Sequence, residues 1–148
     1  MSLVINAADA VAAELNAAPP DAFGHEFTAT RRVLPVFDLA DLTDLRVTVV
    51  PKSVEITGST RATSQYDITV DVGIQQKLAA HSGDVDAQVE ALGTLVDRIA
   101  DYLRRRPLLS FPGLAWVGTR NEPVYAPEHL SEQRVFTSVL TLTYRAIK

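Results

Sequence analysis

Hydrophobic and polar residues alternate most regularly over residues 65–75, which read QYDITVDVGIQ. The apolar residues fall on one side of an extended chain: Tyr66, Ile68, Val70, Val72 and Ile74. The polar residues fall on the other side: Asp67, Thr69, Asp71 and Gln75. A period of two is typical of a β-strand with one buried and one exposed face. We therefore predict a strand here, and it is the strongest strand signal in the chain.

Weaker alternation predicts the other strands and the loops between them. Strands are expected at residues 27–36, 45–49, 54–56, 114–118 and 135–144. The run Pro51-Lys52-Ser53 is expected to form a turn, so that residues 54–56 return as the partner of 45–49. Residues 58–64 and 119–133 are polar or proline-containing stretches and are expected to form loops.

Two segments have the spacing of amphipathic helices. Residues 4–17 place Val4, Ala8, Val11 and Leu15 on one face, and Pro19 follows this segment. Residues 84–106 carry apolar residues at spacings of four and three: Val85, Val89, Leu92, Val96, Ile99 and Leu103. Asp84 is the expected N-cap of the second helix and Pro107 its stop.

This order of elements predicts the fold class. A run of strands between two helices, followed by two more strands, favours α+β over a repeating βαβ pattern. We expect a mostly antiparallel sheet of about five to six strands, with both helices packed on one of its faces. The sequence has no internal linker, so residues 1–148 are expected to form a single domain.

Composition narrows the function classes. Of the 148 residues, 47% are hydrophobic and 22% are charged, as in ordinary globular proteins. The net charge of −4 argues against a nucleic-acid partner, which usually meets a basic surface. The chain has no cysteine, and no apolar run approaches the length of a membrane span. The N-terminus lacks the features of a signal peptide, so we expect a soluble intracellular protein without a membrane partner.

The polar residues do not form a recognisable catalytic or metal-binding motif. Asp67 and Asp71 share a strand face, but four residues of strand place their Cα atoms about 13 Å apart. His25, His81 and His129 are far apart in sequence and form no HExxH motif. We therefore predict no catalytic residue, no metal and no cofactor. A small hydrolase using Asp67 or His129 stays open as an alternative.

Two other features have more than one interpretation. Trp116, Tyr125 and the loop around them have the composition of a contact surface, but both rings could instead fold onto the core. The run Arg104-Arg105-Arg106 could contact phosphate, but arginines at a helix end more often cap carbonyl groups.

Four stretches together resemble a known family: AADAVAAELN, LRVTVVPK, YDITVDVGIQQK and EPVYAPEHLSEQRVFTSVLTLTYR. In these stretches and in the order of its elements, the chain is similar to tail terminator proteins of bacteriophages and prophages, the minor tail protein U-like, tail-completion group. The resemblance implies a non-enzymatic structural protein of the virion. It also implies a hexameric ring that ends tail-tube polymerisation and helps join the tail to the head.

The resemblance further implies the partners and the location. The partners would be other copies of the chain, which could be monomeric in solution, together with the tail-tube protein and the head–tail connector. The location would be the virion tail, assembled in the cytoplasm of a bacterial host. Charged and aromatic residues on the polar strand face and in the loops are the candidate interface: Arg61, Asp67, Asp71, Arg120, Tyr125 and His129. A head–tail connector or neck protein, or a small α+β ligand-binding module, are the alternatives to a terminator.

Overall fold

The computed structural model describes residues 2–33, 42, 44–78, 85–122 and 124–148. The elements follow in chain order: α1 (Leu3–Asn16), β1 (Ala29–Arg31), β2 (Arg46–Gly58), β3 (Ser64–Lys77), α2 (Val85–Leu103), β4 (Ala115–Asn121), a π-helical turn (His129–Gln133) and β5 (Val135–Ile147). The sheet has the order β1-β2-β3-β5-β4. All pairs of strands are antiparallel except β1 and β2. The predicted α+β fold is confirmed.

The core lies between the two helices and one face of the sheet. The apolar side of β3 is completely buried at Ile68, Val70, Val72 and Ile74, as the alternation predicted. α1 packs over β1, β2 and β3, and α2 packs over β5. Their apolar residues join those of the strands in one cluster. Burying a side chain such as Ile68 contributes about 1.5–3 kcal/mol, so this layer is the main source of stability.

Helix α1 is fixed at both ends by polar side chains. Ser2 is the N-cap, and its Oγ accepts a hydrogen bond from the Ile5 amide at 3.4 Å. At the other end, the Asn16 side chain accepts from the Ala29 amide at 2.7 Å and donates to the Ala29 carbonyl at 2.9 Å. One amide group therefore ties the end of α1 to the start of β1.

β2 is one continuous strand, and this corrects the predicted turn at Pro51-Lys52-Ser53. Its ladder with β3 continues past Pro51 with a shift in register, because Lys52 is an extra residue in the strand. A bulge accommodates a proline, since the ladder is already interrupted there. Residues 54–56 therefore extend β2 instead of returning beside it, and the loop between β2 and β3 is residues 59–63.

Helix α2 ends at Leu103, four residues before the predicted stop at Pro107. The cause is Arg105, which adopts a left-handed conformation with φ of 58°. Arg106 then folds back, and its Nε donates to the Tyr102 carbonyl at 2.8 Å while its guanidinium lies 3.7 Å from the centre of the Tyr102 ring. The capping interpretation is therefore correct for Arg106. The predicted N-cap, Asp84, lies outside the described residues.

The remaining strands differ in length from the prediction. β1 is limited to Ala29–Arg31, and residues 34–36 of the predicted strand lie outside the described residues. β4 runs to Asn121, beyond the predicted end at residue 118. Bonds to β5 continue further, from the Glu122 amide to the Val139 carbonyl and from the Ala126 amide to the Thr137 carbonyl. The predicted loop 119–133 is therefore partly strand and partly π-helical turn.

None of the helices in the described part of the chain combines the length and hydropathy needed to cross a membrane.

Candidate interaction surface

The face of the sheet opposite the helices is polar, and we call it the open face. β3 contributes Gln65, Asp67, Thr69, Asp71 and Gln75 to it, as predicted. β5 contributes residues that pair with these across the ladder: Thr137, Thr141, Thr143, Arg145 and Ile147. Most of these side chains are half-buried, since each covers part of its neighbour on the pleated surface. Most side chains of the open face are therefore hydroxyl, amide or charged groups.

Asp67 is bound by Arg145, which lies directly opposite on β5. The Arg145 Nε donates to Asp67 Oδ1 at 2.8 Å, and Nη2 donates to Oδ2 at 3.3 Å. The Gln65 side chain adds a third hydrogen bond, to Oδ2 at 3.3 Å. The hydrogen bonds from Arg145 lower the pKa of the Asp67 carboxyl, and the same pair raises the pKa of Arg145. Both carboxylate oxygens of Asp67 are therefore occupied within the fold.

Asp71 is bound in the same way by different residues. The Thr141 hydroxyl, opposite on β5, donates to Asp71 Oδ1 at 2.7 Å. Lys52, at the β2 bulge, places its Nζ 3.7 Å from the same oxygen. Arg120 lies beside Thr141 on β4 and pairs with Glu122. A row of polar side chains, from Lys52 through Asp71 and Thr141 to Arg120, therefore crosses the open face from β2 to β4.

The two aspartates of β3 connect this strand to its neighbours in the sheet. Asp67 and Asp71 each bind neighbours on adjacent strands, and they do not converge on a shared point. Within the described ranges, no three His, Cys, Asp or Glu side chains come close enough together to hold a metal ion.

At one end of the sheet, the β2–β3 hairpin projects from the core. Residues 55–62 are exposed on both faces, and Ile56 is 58% exposed. Thr60 organises the loop, because its hydroxyl accepts from the amides of Ala62 and Thr63 at 3.2 and 3.1 Å. The predicted interface residue Arg61 lies at the tip of this turn, exposed to solvent.

At the other end lie the predicted interface residues Tyr125 and His129. The Nδ1 of His129 is 2.8 Å from the Thr137 hydroxyl, which also accepts from the Gln75 amide at 3.3 Å. Tyr125 is 44% exposed, and its neighbour Val124 is 57% exposed. Trp116, in contrast, packs against the core. The two interpretations of the aromatic pair thus divide: Trp116 folds inward and Tyr125 faces outward.

Asp67 and His129, the two alternative candidates for a hydrolase, lie at different parts of the sheet and contact different residues. His129 contacts Thr137, whereas Asp67 lies opposite Arg145, eight residues further along β5. This places them about 26 Å apart along the sheet. His25 is half-buried in a small cleft beside Phe23 and Phe27, and His81 lies outside the described residues.

An open cleft of about 600 Å³ lies on the helix side, between α1 and residues 110–112. The carboxylate that lines it, Asp9, is bound to Arg31 with an Nε–Oδ1 distance of 2.8 Å. This cleft is not the pocket between helices and sheet that the ligand-binding alternative requires.

Sequence reasoning missed a buried polar cluster on the helix side. Glu14 is 6% exposed, although it lies in an alanine-rich helix with a regular pattern. Its carboxylate accepts from the Leu109 amide at 3.4 Å and lies 3.7 Å from Arg106 Nη1. Burial and the nearby charge of Glu14 raise the pKa of Tyr144. No local signal predicts this cluster, since its members are far apart in the sequence.

Comparison with solved structures shows what this fold is similar to. The fold is similar to a chain from the virion of a native gene transfer agent (GTA) particle, with a TM-score of 0.57. The match covers 99% of this chain and 100% of that chain, at 13% sequence identity. At this identity the likeness concerns the fold. No protein-family model and no curated protein matches the chain.

Proposed function

We propose that this protein is a non-enzymatic structural component of a phage-like particle, namely a tail terminator. Its ring would end polymerisation of the tail tube and help join the tail to the head. The observation that carries this proposal is the end-to-end fold likeness to a virion chain, which leaves no large segment of either chain unmatched. One fold can serve many functions, so the surface of the protein must support this role as well.

The surface supports an assembly role in two ways. First, the charged groups of the open face are bound in separate pairs, Asp67 with Arg145 and Asp71 with Thr141, so they offer a broad surface instead of one reactive point. Second, the sheet presents different features at its two ends, the hairpin loop with Arg61 and the segment with Tyr125 and His129. A closed ring needs two different complementary patches on each subunit.

The proposed partners are further copies of this chain in a hexameric ring, the tail-tube protein and the head–tail connector. The subunit is monomeric until it meets the tube. The proposed contact residues are those of the open face and the two sheet ends: Arg61, Asp67, Asp71, Arg120, Tyr125 and His129. The protein is located in the virion tail, on the layer between tube and connector.

A head–tail connector is the second candidate, because the same fold likeness to a virion chain supports it equally. The two roles differ in what happens when the chain is missing. A terminator limits tube growth, so its loss leaves tubes of abnormal length without heads. A connector acts on the head, so its loss leaves tails of normal length beside unjoined heads.

The test is therefore deletion of the coding sequence from the genome that produces the particles, followed by electron microscopy of the lysate. Overlong, headless tubes support the terminator, and restoration by a plasmid copy of the wild-type chain is the control. Normal tails beside free heads favour the connector. Particles of normal form and number would contradict both roles and return attention to an enzyme or a ligand-binding module.

A further inference from the structure

On one side of the sheet, β1 covers only part of β2 in the described part of the chain. β1 pairs with β2 over three residues, from Val47 to Val49, and the Arg32 amide adds one more bond to the Val49 carbonyl. β2 then continues to Gly58. From Val50 onward, β3 is the strand that pairs with it in the described part of the chain. Within the described residues, the outer half of β2 therefore has no second ladder partner, and its residues from Glu55 to Gly58 are exposed.

The opposite side of the sheet ends at β4. Its ladder partner is β5, and no other described strand pairs with it. Ala115 is exposed, and Val117 is 41% exposed. This edge also carries apolar side chains that the helices do not cover, as the outer half of β2 does at Ile56.

The two edges lie at the same level of the sheet. Following the ladders across, Glu55 pairs with Asp67, Asp67 with Arg145, and Arg145 with Ala115. Further along, Val50 is joined through Asp71 and Thr141 to Arg120. The half of β2 without a second described partner is therefore level with β4.

The strand directions also agree. β2, β3, β5 and β4 are joined by three antiparallel pairings, so β2 and β4 run in opposite directions. In a ring whose axis follows the strands, rotation preserves the direction of each strand. The β4 edge of one copy then meets the β2 edge of the next in the antiparallel sense, which continues the alternation of the sheet.

The charges on the edges favour contact with another molecule. Glu55 faces Asp67, a like charge, and Asp67 is already bound by Arg145. Like charges directly opposite on a sheet are destabilising. Glu55 forms no ion pair with any described residue. Arg120 on β4 lies on the same open face, so edge pairing brings a cation of the second copy onto the face that carries Glu55.

We propose that β2, from Val50 to Gly58, pairs with β4 of a second copy, so that the sheet continues across the subunit boundary. This inference rests on the proposed ring and specifies how the ring closes. In the level register Glu55 lies beside Ala115 of the next copy. In a register displaced by about four ladder positions, a stagger of the kind that strand tilt produces in closed sheets, Glu55 lies beside Arg120.

The absence of native cysteine makes disulfide trapping a direct test. Two double variants are made, Glu55→Cys with Ala115→Cys and Glu55→Cys with Arg120→Cys. Within one chain the two edges are three strand spacings apart, about 14 Å. That distance is too long for an internal disulfide, so any disulfide must join two copies. The matched control is Glu55→Cys with Asp97→Cys, whose second site lies exposed on α2.

Each variant replaces the wild-type chain in producing cells, and purified particles are oxidised mildly and run on a non-reducing gel. We expect one of the two edge pairs to give a ladder of covalent multimers that thiol removes, at least tenfold stronger than the control. Chain present in particles without such a ladder overturns the edge pairing and leaves the proposed function standing. Chain absent from wild-type particles removes the proposed function and this inference with it.

Discussion

Asp67 and Arg145 lie opposite each other on β3 and β5 and form a two-point ion pair, although they are 78 residues apart in the sequence. The pair connects the last strand of the chain to the centre of the sheet. It occupies the open face near the projecting hairpin.

This pair should make stability depend on pH. Since the pKa of Asp67 is lower in the folded chain than its unfolded value of about 3.9, its contribution is complete above that value. The contribution is lost as the pH falls through the lower, folded pKa. We expect Asp67→Asn to be less stable than wild type at pH 7, and the difference to shrink as the pH falls below the unfolded value. Urea unfolding at pH 7, 4 and 2 measures it.

The matched control for this pair is Asp9→Asn, which removes the exposed partner of Arg31. It should change the free energy of unfolding at pH 7 by about 0–1 kcal/mol, as exposed ion pairs do. A difference between wild type and Asp67→Asn that stays constant over the whole pH range would show that Arg145 does not hold this carboxylate.

Removing the hydroxyl of Tyr144 should not destabilise the protein. The ring is completely buried, and its Oη has no hydrogen-bond partner in the described structure. A buried, unpaired hydroxyl costs free energy. We expect Tyr144→Phe to leave the free energy of unfolding unchanged or to raise it by about 1–2 kcal/mol. In the matched variant Tyr102→Phe, which loses the bond to the Glu14 carbonyl, it should fall by about 1 kcal/mol. The reverse order in urea unfolding would contradict this.

Glu14 should be important for the segment after α2. Its carboxylate accepts from the Leu109 amide and pairs with Arg106, so it fixes the chain after the left-handed residue Arg105. We expect Glu14→Ala to lower the free energy of unfolding by about 1–3 kcal/mol, typical of hydrogen bonds to charged groups. Hydrogen exchange of the Leu109 amide should become faster. Glu14→Gln, which keeps an acceptor, should show a smaller effect on both, and equal effects would argue against the hydrogen bond.

Replacing Arg134 by glycine should stabilise the protein. It has φ of 53° between the π-helical turn and β5, a region that costs a side-chain-bearing residue about 1 kcal/mol. We expect Arg134→Gly to raise the midpoint of thermal unfolding by a few degrees, and Arg134→Val to lower it. Arg134→Ala separates loss of charge from backbone strain, because it keeps the strain. A glycine variant no more stable than the alanine variant would show that the conformation is not strained.

The hairpin loop should matter for assembly and not for folding. Replacing residues 59–63 by Asn-Gly gives a tight turn that suits the flanking strands. We expect the variant to keep the thermal midpoint of wild type within about 3 °C, since the loop buries no core residue. It should fail to restore normal tails in the deletion strain described above. A loop of the same length made of glycine and serine separates the role of Arg61 from that of length. Normal tails from both variants would contradict a contact at this loop.

Regular patterns in the sequence were enough to predict most of the fold. β3 and α2 repeat their apolar residues at the periods of a strand and a helix, and each has one buried face. β2 was predicted wrongly because Pro51 is typical of turns. In the structure, Lys52 forms a bulge next to Pro51, and β2 continues because it pairs with β3 on both sides of the bulge.

The interaction surface was less predictable, because it depends on which strands become neighbours. The sequence placed Asp67 and Asp71 on a polar face, but their partners Arg145 and Thr141 follow only from the register of β3 with β5. The same holds for Glu14, which becomes buried because residues 106–109 fold across it. The six interface residues and the single-domain organisation stay predictions.

The bulges in β2 and β4 affect how the edges of the sheet can pair with other polypeptides. Lys52 interrupts β2 and Val117 interrupts β4, and the two bulges lie at adjacent levels of the sheet. A regular strand from an unrelated polypeptide would lose backbone hydrogen bonds at either bulge. The bulges therefore disfavour the growth of fibres by unspecific strand pairing. They protect the protein from unspecific edge-to-edge aggregation, because only a strand with a matching irregularity forms a complete ladder with either edge.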